Sequence, residues 1–501
     1  MFTRHNNKVG KEQVFIVDIS RKRLINDSVW AVITAILNSI FGIVHLLVIG
    51  NYWGSNGLGI FSLSISLYLI GSVLSNIGIH SAVLYKVAAS DANKEHISSV
   101  VYTALLSSFV LGILGGSICF VTAPLAAAAF QEPLIEAMVK LLSFALPLFL
   151  INKTTIGILN AHRRMRLIAG VNAIRGGTIL LYLAVLIICK TSFVTIPAGF
   201  ILAELLVAIL VLTVCFKTYS FVRPSVGRAK QLISFGWKAA LSGVIGDLNA
   251  RVDILVIGIF WDASVVGTYS VASAIAKGLL LIPNAIQRVT NPLIVQVYSC
   301  REKEKLHRTM DVLYRLGTSL FIIIGLAIAV YIKPLITLCY PGQSNMLGAA
   351  VPLYFLLPGV AIFSGVAMLG SATSTSIGKP ENAMKLICVV LGINLMMNFL
   401  LVPFFAAAGA ASATTISLVV ALICFSYFCR QYLNFTISLL KFFLLFFAMC
   451  LLTVFIIICE SVISHSLLLA ICLIVAIGLL VILKMVCRSD GNLIVSILKS
   501  F

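Results

Sequence analysis

The chain has 501 residues, of which 60% are hydrophobic and 11% are charged, and its formal net charge is +19. A water-soluble domain carries about 25% charged residues, so this composition excludes an ordinary soluble protein. Apolar runs recur from about residue 28 to about residue 487, and about 20 apolar residues suffice for a membrane-spanning helix. Because lipid cannot satisfy free backbone groups, we expect an all-α polytopic membrane protein with short connections.

The N-terminal segment is polar and basic and ends in Arg21, Lys22 and Arg23. A cleavable signal peptide would place a short apolar core there. Residues 1–27 are therefore predicted to be a cytoplasmic segment, with the first span as the insertion signal. The twelve cysteines lie mostly inside apolar runs and form no CxxC or Cys/His pattern. We expect them to pack as small hydrophobic residues, with no metal and no cofactor.

The apolar runs predict fourteen membrane-spanning helices with short connections. Their bounds are 28–50, 57–79, 98–123, 138–160, 170–189, 193–216, 236–260, 264–290, 311–332, 349–375, 383–404, 407–428, 438–459 and 464–487. The outward connections, such as "NYWGSN" and "FFAAAGAA", are nearly free of charge.

Basic residues alternate between the two sides of this predicted bundle. The termini and the even-numbered loops, with the adjoining span ends, hold 28 of the 36 Lys and Arg residues, and the odd-numbered loops hold three. Because cytoplasmic loops carry the excess of Lys and Arg, both termini are predicted to be cytoplasmic. The positive charge is thus explained by orientation and by attraction to anionic membrane lipid, without a nucleic-acid partner.

One phrase of the sequence occurs twice. "LVIGNYWGSNGLGIFS" (47–62) and "LVIGIFWDASVVGTYS" (255–270) both open on Leu-Val-Ile-Gly, and Trp53 and Gly59 align with Trp261 and Gly267 at an offset of 208 residues. An even number of spans separates the copies, so both cross the membrane in the same direction. The phrase therefore predicts a parallel repeat, related by an axis along the membrane normal.

The repeat divides the chain into two six-helix lobes with two further helices. The predicted parts are an N-lobe at 28–216, a cytoplasmic linker at 217–235, a C-lobe at 236–428, the last two spans at 438–487 and a cytoplasmic tail at 488–501. Membrane proteins built from repeats place the substrate site between the repeats, near the bilayer midplane. This architecture favours a transporter.

A polar stripe on span eight supplies the first candidate site residues. Its members share one helix face at about 100° per residue, and they are Ser273, Lys277, Asn284, Arg288 and Asn291. A charge inside the membrane is costly unless it faces water, a partner or substrate. We expect Lys277 to face substrate, and Arg288 to face either substrate or the membrane interface. Pro283 beside the stripe allows a kink.

Span seven carries Asp247 and Arg251 at i,i+4, a spacing that suits a structural ion pair or a substrate site. Asp253 points to another face of the same helix, and Asp247 and Asp253 are also candidates for ion coupling. Lys153, in span four, is similarly deep and is expected to line the same cavity as Arg251 and Lys277. Cations outnumber anions at these depths, so the cavity is expected to prefer an anion, and phosphate groups suit Arg and Lys.

Three further residues stay open at this point. Glu204 is either a proton site or the structural partner of a cation, and Arg175 is expected to be an anchor at the membrane interface. His45 aligns with Asp253 through the 208-residue offset, so it has either a role in ion coupling or that of a satisfied interior histidine.

Three stretches carry a resemblance to a known family: residues 233–294, the "ALPLFLINKTTIGILNAHRRM" of span four, and residues 378–417 with Gly378-Lys379, Asn394, Asn398, Pro403 and Gly409-Ala410-Ala411. The chain resembles the polysaccharide-type flippases of the multidrug/oligosaccharidyl-lipid/polysaccharide exporter superfamily, such as O-antigen or capsule repeat-unit translocases. The likeness covers about residues 25–430. Its motifs are structural signatures and do not mark individual substrate-binding residues.

The resemblance implies a bacterial inner-membrane protein that moves an undecaprenyl-diphosphate-linked oligosaccharide from the cytoplasmic to the periplasmic leaflet. Alternating access of the two lobes would expose a cationic cavity to each side in turn. The implied partners are this lipid-linked glycan and membrane lipid, with a glycan polymerase and chain-length proteins as further candidates.

Two other functions compete with this interpretation. A cation-coupled drug or metabolite antiporter of the same fold would need deep acidic residues in the N-lobe, where the spans offer only Glu204. A membrane glycan polymerase or ligase would need catalytic groups on a long external loop, and the sequence has neither such a loop nor a nucleophile–base arrangement. We therefore expect a transporter and no enzyme.

Overall fold

The computed structural model describes residues 21–89, 94–284, 286–287, 294, 298, 303–367 and 380–486. Every regular element within these ranges is helical, so the predicted all-α fold class is confirmed. The α-helices are α1 Arg21–Asn76, α2 Ile79–Ala88, α3 Lys94–Ala129, α4 Pro133–Ser143, α5 Leu146–Ala161, α6 Met165–Ile188, α7 Ile196–Thr218, α8 Val226–Phe260, α9 Ala263–Leu279, α10 Lys303–Cys339, α11 Ala350–Ala367, α12 Pro380–Leu433, α13 Leu439–Cys459 and α14 His465–Ile482.

The two longest helices each contain two predicted spans. α1 has 56 residues and kinks at Gly54 (φ 68°, ψ −169°), a backbone region that only glycine adopts freely. α12 has 54 residues and kinks at Ala406 (φ 50°). The connections predicted at "NYWGSN" and "FFAAAGAA" are therefore kinks inside helices rather than loops.

Two predicted spans are interrupted. Span four is formed by α4 and α5, which meet at an angle of 51° around residues 144–145. Span two ends at Asn76, where Ile77 (φ 43°) and Gly78 (φ 70°) turn the chain into α2.

The predicted count of fourteen spans is not confirmed. Ten helices in the described ranges are long and apolar enough to cross a membrane, or eleven if α4 and α5 together form one span. One cause of the difference is that α1 and α12 are each continuous through a kink, so each counts once. A second is that α8 is not among the ten helices, because it carries four charged residues: Lys238, Asp247, Arg251 and Asp253.

The repeated phrase contacts itself where α1 crosses α9. A Cβ atom on Gly59 would lie 1.6 Å from the carbonyl oxygen of Ala263, and one on Gly267 would lie 1.9 Å from that of Ser55. Ser55 and Ala263 are themselves 208 residues apart, so the two contacts are equivalent under exchange of the copies. A reciprocal contact of this kind indicates a two-fold relation between the repeats. Ser55 Oγ also lies 2.6 Å from Ser264 Oγ, which fixes the crossing.

The last two helices pack on one half of the molecule. α13 and α14 pack chiefly against α10 and α11. Glu460, which follows α13, accepts a hydrogen bond from Lys333 Nζ (2.5 Å) and another from the hydroxyl of Tyr354 (3.1 Å). We call α1–α7 the N-lobe and α8–α12 the C-lobe, and α13 and α14 are attached to the C-lobe.

Candidate functional site

The two lobes meet at both ends of the bundle. We call the end with the Gly54 kink the outer end and the opposite end the inner end. At the outer end, the Gly59–Gly267 crossing is supplemented by Asn51, whose side chain donates to the carbonyl of Cys339 (2.8 Å). At the inner end, a Cβ on Gly78 would lie 2.0 Å from the carbonyl oxygen of Gly236. Contacts between the lobes thus bound the space between them at its outer end and at its inner end.

A cavity of about 450 Å³ lies in this space. Its walls come from both halves of α1, from α7, α8 and α9, and we call it the central cavity. The described residues that line it are Ser39, Gly42, Ile43, His45, Leu46, Phe61, Ser62, Ile65, Ser66, Leu69, Phe200, Arg251, Ile254, Ser270, Ser273, Ala274, Lys277, Gly278 and Leu281. The kink at Gly54 positions this wall, because it lets residues 39–46 and 61–69 face the same space.

The central cavity contains two cations and, among its described lining residues, no acidic side chain. Lys277 Nζ donates one hydrogen bond, to the carbonyl oxygen of Ala250 at 3.1 Å, and an ammonium group has three N–H donors. Arg251 makes no hydrogen bond or ion pair with the described residues. Both side chains therefore keep donors for an anionic group in the cavity, which suits phosphate.

The other polar residues of the central cavity are five serines and His45. Ser62 on α1 and Ser270 on α9 occupy aligned positions of the two copies, so the repeat places matching hydroxyls on opposite walls. His45 Nε2 is buried without a hydrogen-bond partner among the described residues. The ring also bonds to the backbone of Phe41, and His45 lines the cavity. Its two predicted roles, in ion coupling or as an interior histidine, stay predictions.

A second cavity, of about 200 Å³, lies nearer the inner end. We call it the inner cavity; its lining residues are Val73, Asn76, Gly78, His80, Ser81, Lys153, Ala240, Gly243, Val244 and Asp247. Lys153 thus lines this cavity and not the central one, which corrects the predicted grouping. Asp247 also lines it, one helical turn from Arg251 in the central cavity, and the described structure has no Asp247–Arg251 ion pair.

The polar stripe on span eight is only partly continuous. α9 ends at Leu279, ahead of the buried Pro283, so the helix face that begins at Ser273 does not extend regularly to Asn284. Asn284 is exposed and lines neither cavity. The candidates Arg288 and Asn291 lie outside the described residues.

Asp253 is the centre of a buried polar cluster in the C-lobe. The carboxylate is 7% exposed and accepts four hydrogen bonds, from Tyr269 (2.5 Å) and Thr414 (2.7 Å) to Oδ2 and from Asn394 (3.2 Å) and Asn398 (2.9 Å) to Oδ1. All four donors are neutral, so the charge has no direct cationic partner in this part of the structure. Sequence analysis named Asp253 but missed its partners; the i,i+4 spacing of the two asparagines was the available signal.

Glu204 forms a different cluster in the N-lobe. Its carboxylate, 3% exposed, pairs with Arg175 (Nε–Oε1 2.7 Å) and accepts a hydrogen bond from Asn152 Nδ2 (2.7 Å). Arg175 also lies over the ring of Phe149, 5.7 Å from its centroid. The prediction of Arg175 as an interfacial anchor is therefore wrong. Glu204 is the partner of a cation, which was one of its two predicted roles.

Comparison with known proteins places these features in a family. A family model described as "Polysaccharide biosynthesis protein" matches residues 62–345, more than half of the chain. The chain belongs to this family. The resemblance to polysaccharide-type flippases expected from the sequence is thereby confirmed.

Individual relatives and a solved structure are consistent with this family assignment. "Probable flippase AglR" of Haloferax volcanii is 27% identical over 385 residues, which cover 75% of this chain and 77% of the relative. A protein assigned as an O-antigen transporter in Shigella flexneri is 21% identical over 415 residues, with 79% and 95% covered. A solved structure of the lipid II flippase MurJ, in an inward closed conformation, superposes with a TM-score of 0.71 at 13% identity, covering 92% of this chain and 98% of MurJ. The MurJ likeness shows a shared fold.

Proposed function

We propose that this protein is a flippase that moves a glycan linked to undecaprenyl diphosphate across the bacterial inner membrane, from the cytoplasmic to the periplasmic leaflet. The observation that carries the proposal is the central cavity, where Arg251 and Lys277 present unused N–H donors and no described lining residue is acidic. A diphosphate is the part of such a substrate that needs these donors, since its charge cannot enter hydrocarbon unpaired. The names of the relatives from Haloferax volcanii and Shigella flexneri support the same class of function.

The proposed mechanism is alternating access, in which the two lobes move relative to each other. Contacts at the outer end and at the inner end bound the cavity, so opening one end while the other stays closed would expose the cationic wall to one side at a time. Such alternating access is the usual mode of transporters built from repeats. The polyprenyl tail remains in the bilayer, and the headgroup alone passes between the lobes.

Ion coupling through Asp253 belongs to the proposal. Its carboxylate is buried and hydrogen-bonded only to neutral donors, while Lys277 attracts it without a direct bond. A proton or a monovalent cation would compete with Lys277 in compensating this charge. Glu204 is already compensated by Arg175. Asp253 is therefore the one of these two buried carboxylates that has no direct ion pair, and we assign it the response to an ion gradient.

The test is a flippase assay combined with charge removal. Deleting the gene should accumulate lipid-linked repeat units on the cytoplasmic face, and Arg251→Met and Lys277→Met should each lower export at least ~10-fold, the effect of losing about 1.4 kcal/mol of binding. Lys140→Met is the matched control, because Lys140 pairs with Glu136 (2.6 Å) away from both cavities. Normal export by both cavity variants, inserted at normal levels, would contradict the proposal.

A cation exporter of the same fold would behave in the opposite way. Its substrate would be repelled by Arg251 and Lys277, so removing these charges would leave its export unchanged or raise it. The absence of an acidic side chain from the described wall of the central cavity favours the anionic substrate.

A further inference from the structure

The inner cavity joins a cation of the N-lobe to an anion of the C-lobe. Lys153 on α5 and Asp247 on α8 both line it, and their opposite charges attract across the space. Neither side chain makes a direct hydrogen bond or ion pair with the described residues. α5 is held close to α2 at this level, since a Cβ on Gly157 would lie 2.6 Å from the carbonyl oxygen of His80. The position of Lys153 opposite α8 is therefore set by the packing of the N-lobe.

The wall beside Lys153 offers further donors. His80 Nδ1 lies 2.6 Å from Asn76 Oδ1, and since an amide oxygen can only accept, Nδ1 carries the hydrogen. His80 Nε2 lies 3.2 Å from Ser81 Oγ, a hydroxyl that can donate or accept, so both ring nitrogens have hydrogen-bond partners. Asn76 is 2% exposed, and its Nδ2 has no partner among the described residues. An ammonium group beside an unused amide donor is a combination that suits an oxyanion.

The two cavities lie in series along one lobe interface. On α8, Asp247 lines the inner cavity and Arg251, one turn further on, lines the central cavity. On α1, Val73 lines the inner cavity and Leu69, one turn away, lines the central cavity. An anion that leaves Lys153 toward the outer end therefore reaches Arg251 and Lys277 next.

We propose that the inner cavity is a second phosphate site, where the diphosphate of the substrate binds to Lys153 before it moves to the central cavity. This inference rests on the proposed function. In the resting protein Asp247 compensates Lys153 across the inner cavity. An entering phosphate takes Lys153 and leaves Asp247 with the charge of Arg251, one turn along α8. Asp247 thereby keeps the site weak, so the headgroup is passed on rather than retained, as multi-site permeation requires. The exchange also removes an attraction between the lobes when substrate arrives.

A double-mutant cycle tests the exchange. The purified protein in phosphatidylcholine nanodiscs is titrated with farnesyl diphosphate, for the wild type, Lys153→Met, Asp247→Asn and the double variant. Lys153→Met should weaken binding about tenfold, and Asp247→Asn should strengthen it about fivefold, as expected for charge pairs that couple directly. In the Lys153→Met background, Asp247→Asn should give a clearly smaller gain, because only the interaction of Asp247 with Arg251 is then left to lose.

The controls distinguish a failure of the second phosphate site from a failure of the proposed function. If the effects of Lys153→Met and Asp247→Asn on the binding free energy are additive, the second phosphate site is overturned. Unchanged affinity of Asp247→Asn for farnesyl diphosphate also overturns it. This single variant can be measured even if Lys153→Met fails to insert. Unchanged affinity in Lys277→Met instead counts against the proposed function. The same cycle at Lys140 and Glu136, an ion pair outside both cavities, should show no effect on binding.

Two further titrations identify the source of the phosphate. Inorganic pyrophosphate should bind at least about tenfold more weakly than farnesyl diphosphate, since it lacks the tail that stays in the bilayer. Phosphatidylglycerol in the nanodisc should compete only weakly. Equal affinity for pyrophosphate, or full displacement by phosphatidylglycerol, would overturn the assignment to a lipid-linked diphosphate.

Discussion

Glu204 and Arg175 form a buried ion pair inside the N-lobe, with side chains 3% and 20% exposed. Removing one partner of such a pair leaves an uncompensated charge and costs about 3–5 kcal/mol. Glu204→Gln or Arg175→Met should therefore lower the thermal unfolding temperature of the detergent-solubilised protein markedly. The double variant should lose less than either single variant, because it leaves no lone charge.

The exposed ion pair of Lys140 and Glu136 provides the comparison for the buried pair of Glu204 and Arg175. Their ion pair is about one-third exposed on each side chain, and an exposed pair contributes at most about 1 kcal/mol. Lys140→Met should thus have little effect on unfolding. A Glu204→Gln variant as stable as Lys140→Met would contradict the structural role of the buried pair.

Depth along a helix predicts which charged residues matter, but not which helix they contact. Depth in the spans predicts Arg251 and Lys277, and both line the central cavity. His45 also lines it, but it is predicted from its alignment with Asp253 across the repeat. Arg175 was misinterpreted because its partner Glu204 lies on another helix, and helical periodicity does not tell which neighbour covers a given face. The partners of Asp253 were missed for the same reason, since Asn394 and Asn398 lie more than 140 residues away.

At the scale of elements, apolar runs predicted the helices well and their junctions poorly. The charge-free stretch around Gly54 has the composition of a connection, yet its backbone stays helical on both sides of a single glycine. Hydropathy measures the energy of transfer into lipid and is insensitive to one residue in an unusual conformation. The break between α4 and α5 at residues 144–145 was invisible for the same reason, because both halves are apolar.

The crossing of the two repeat copies yields a prediction of its own. Ser55 Oγ and Ser264 Oγ are 2.6 Å apart, so cysteines at these two positions should form a disulfide across the outer end of the bundle. In a background without the twelve native cysteines, oxidation of Ser55→Cys/Ser264→Cys should reduce glycan translocation to background, and a reductant should restore it. Gel mobility and a flippase assay report the two effects.

The single variants Ser55→Cys and Ser264→Cys are the controls and should transport normally under oxidant. Translocation by the fully cross-linked protein at the uncross-linked rate would show that the outer contact need not separate during transport. That result would contradict alternating access at this crossing while leaving the cavity assignment intact.

At the scale of the whole molecule, the two lobes share the repeated phrase but differ in how they compensate a buried carboxylate. The N-lobe compensates its buried carboxylate internally through Arg175, whereas the C-lobe surrounds Asp253 with neutral donors. Under the proposed function, a diphosphate with about two negative charges would gain roughly 4–5 kcal/mol per 100 mV on moving outward, so the membrane potential would act on the substrate itself. An ion gradient would act separately, on the C-lobe.

Asp253→Asn should separate these two driving forces. Translocation in proteoliposomes should lose its dependence on a proton or sodium gradient, because the variant has no charge to compensate, and should keep its dependence on membrane potential. The overall rate should fall about tenfold, which corresponds to about 1.4 kcal/mol of barrier. Asp262→Asn, at the outer α8–α9 connection, is the matched control. Unaltered gradient dependence in Asp253→Asn would exclude this carboxylate as the coupling group.

The repeat was the feature of the whole molecule that the sequence predicted best. Its offset of 208 residues places Gly59 against Ala263 and Gly267 against Ser55, which is the contact that relates the copies. The division of the interior into two cavities was not predictable, because Lys153 and Arg251 have similar depths along their spans. The packing of α5 against α2 at Gly157 places Lys153 in the inner cavity, whereas Arg251 lines the central one.

The attachment of α13 and α14 to one lobe has a practical consequence. Lys333, Tyr354 and Glu460 connect this helix pair to α10 and α11. A spectroscopic label on α14 should therefore report the position of the C-lobe without altering the contacts between the lobes. With a second label on α6, the distance between the two labels should change during transport if the lobes move as proposed.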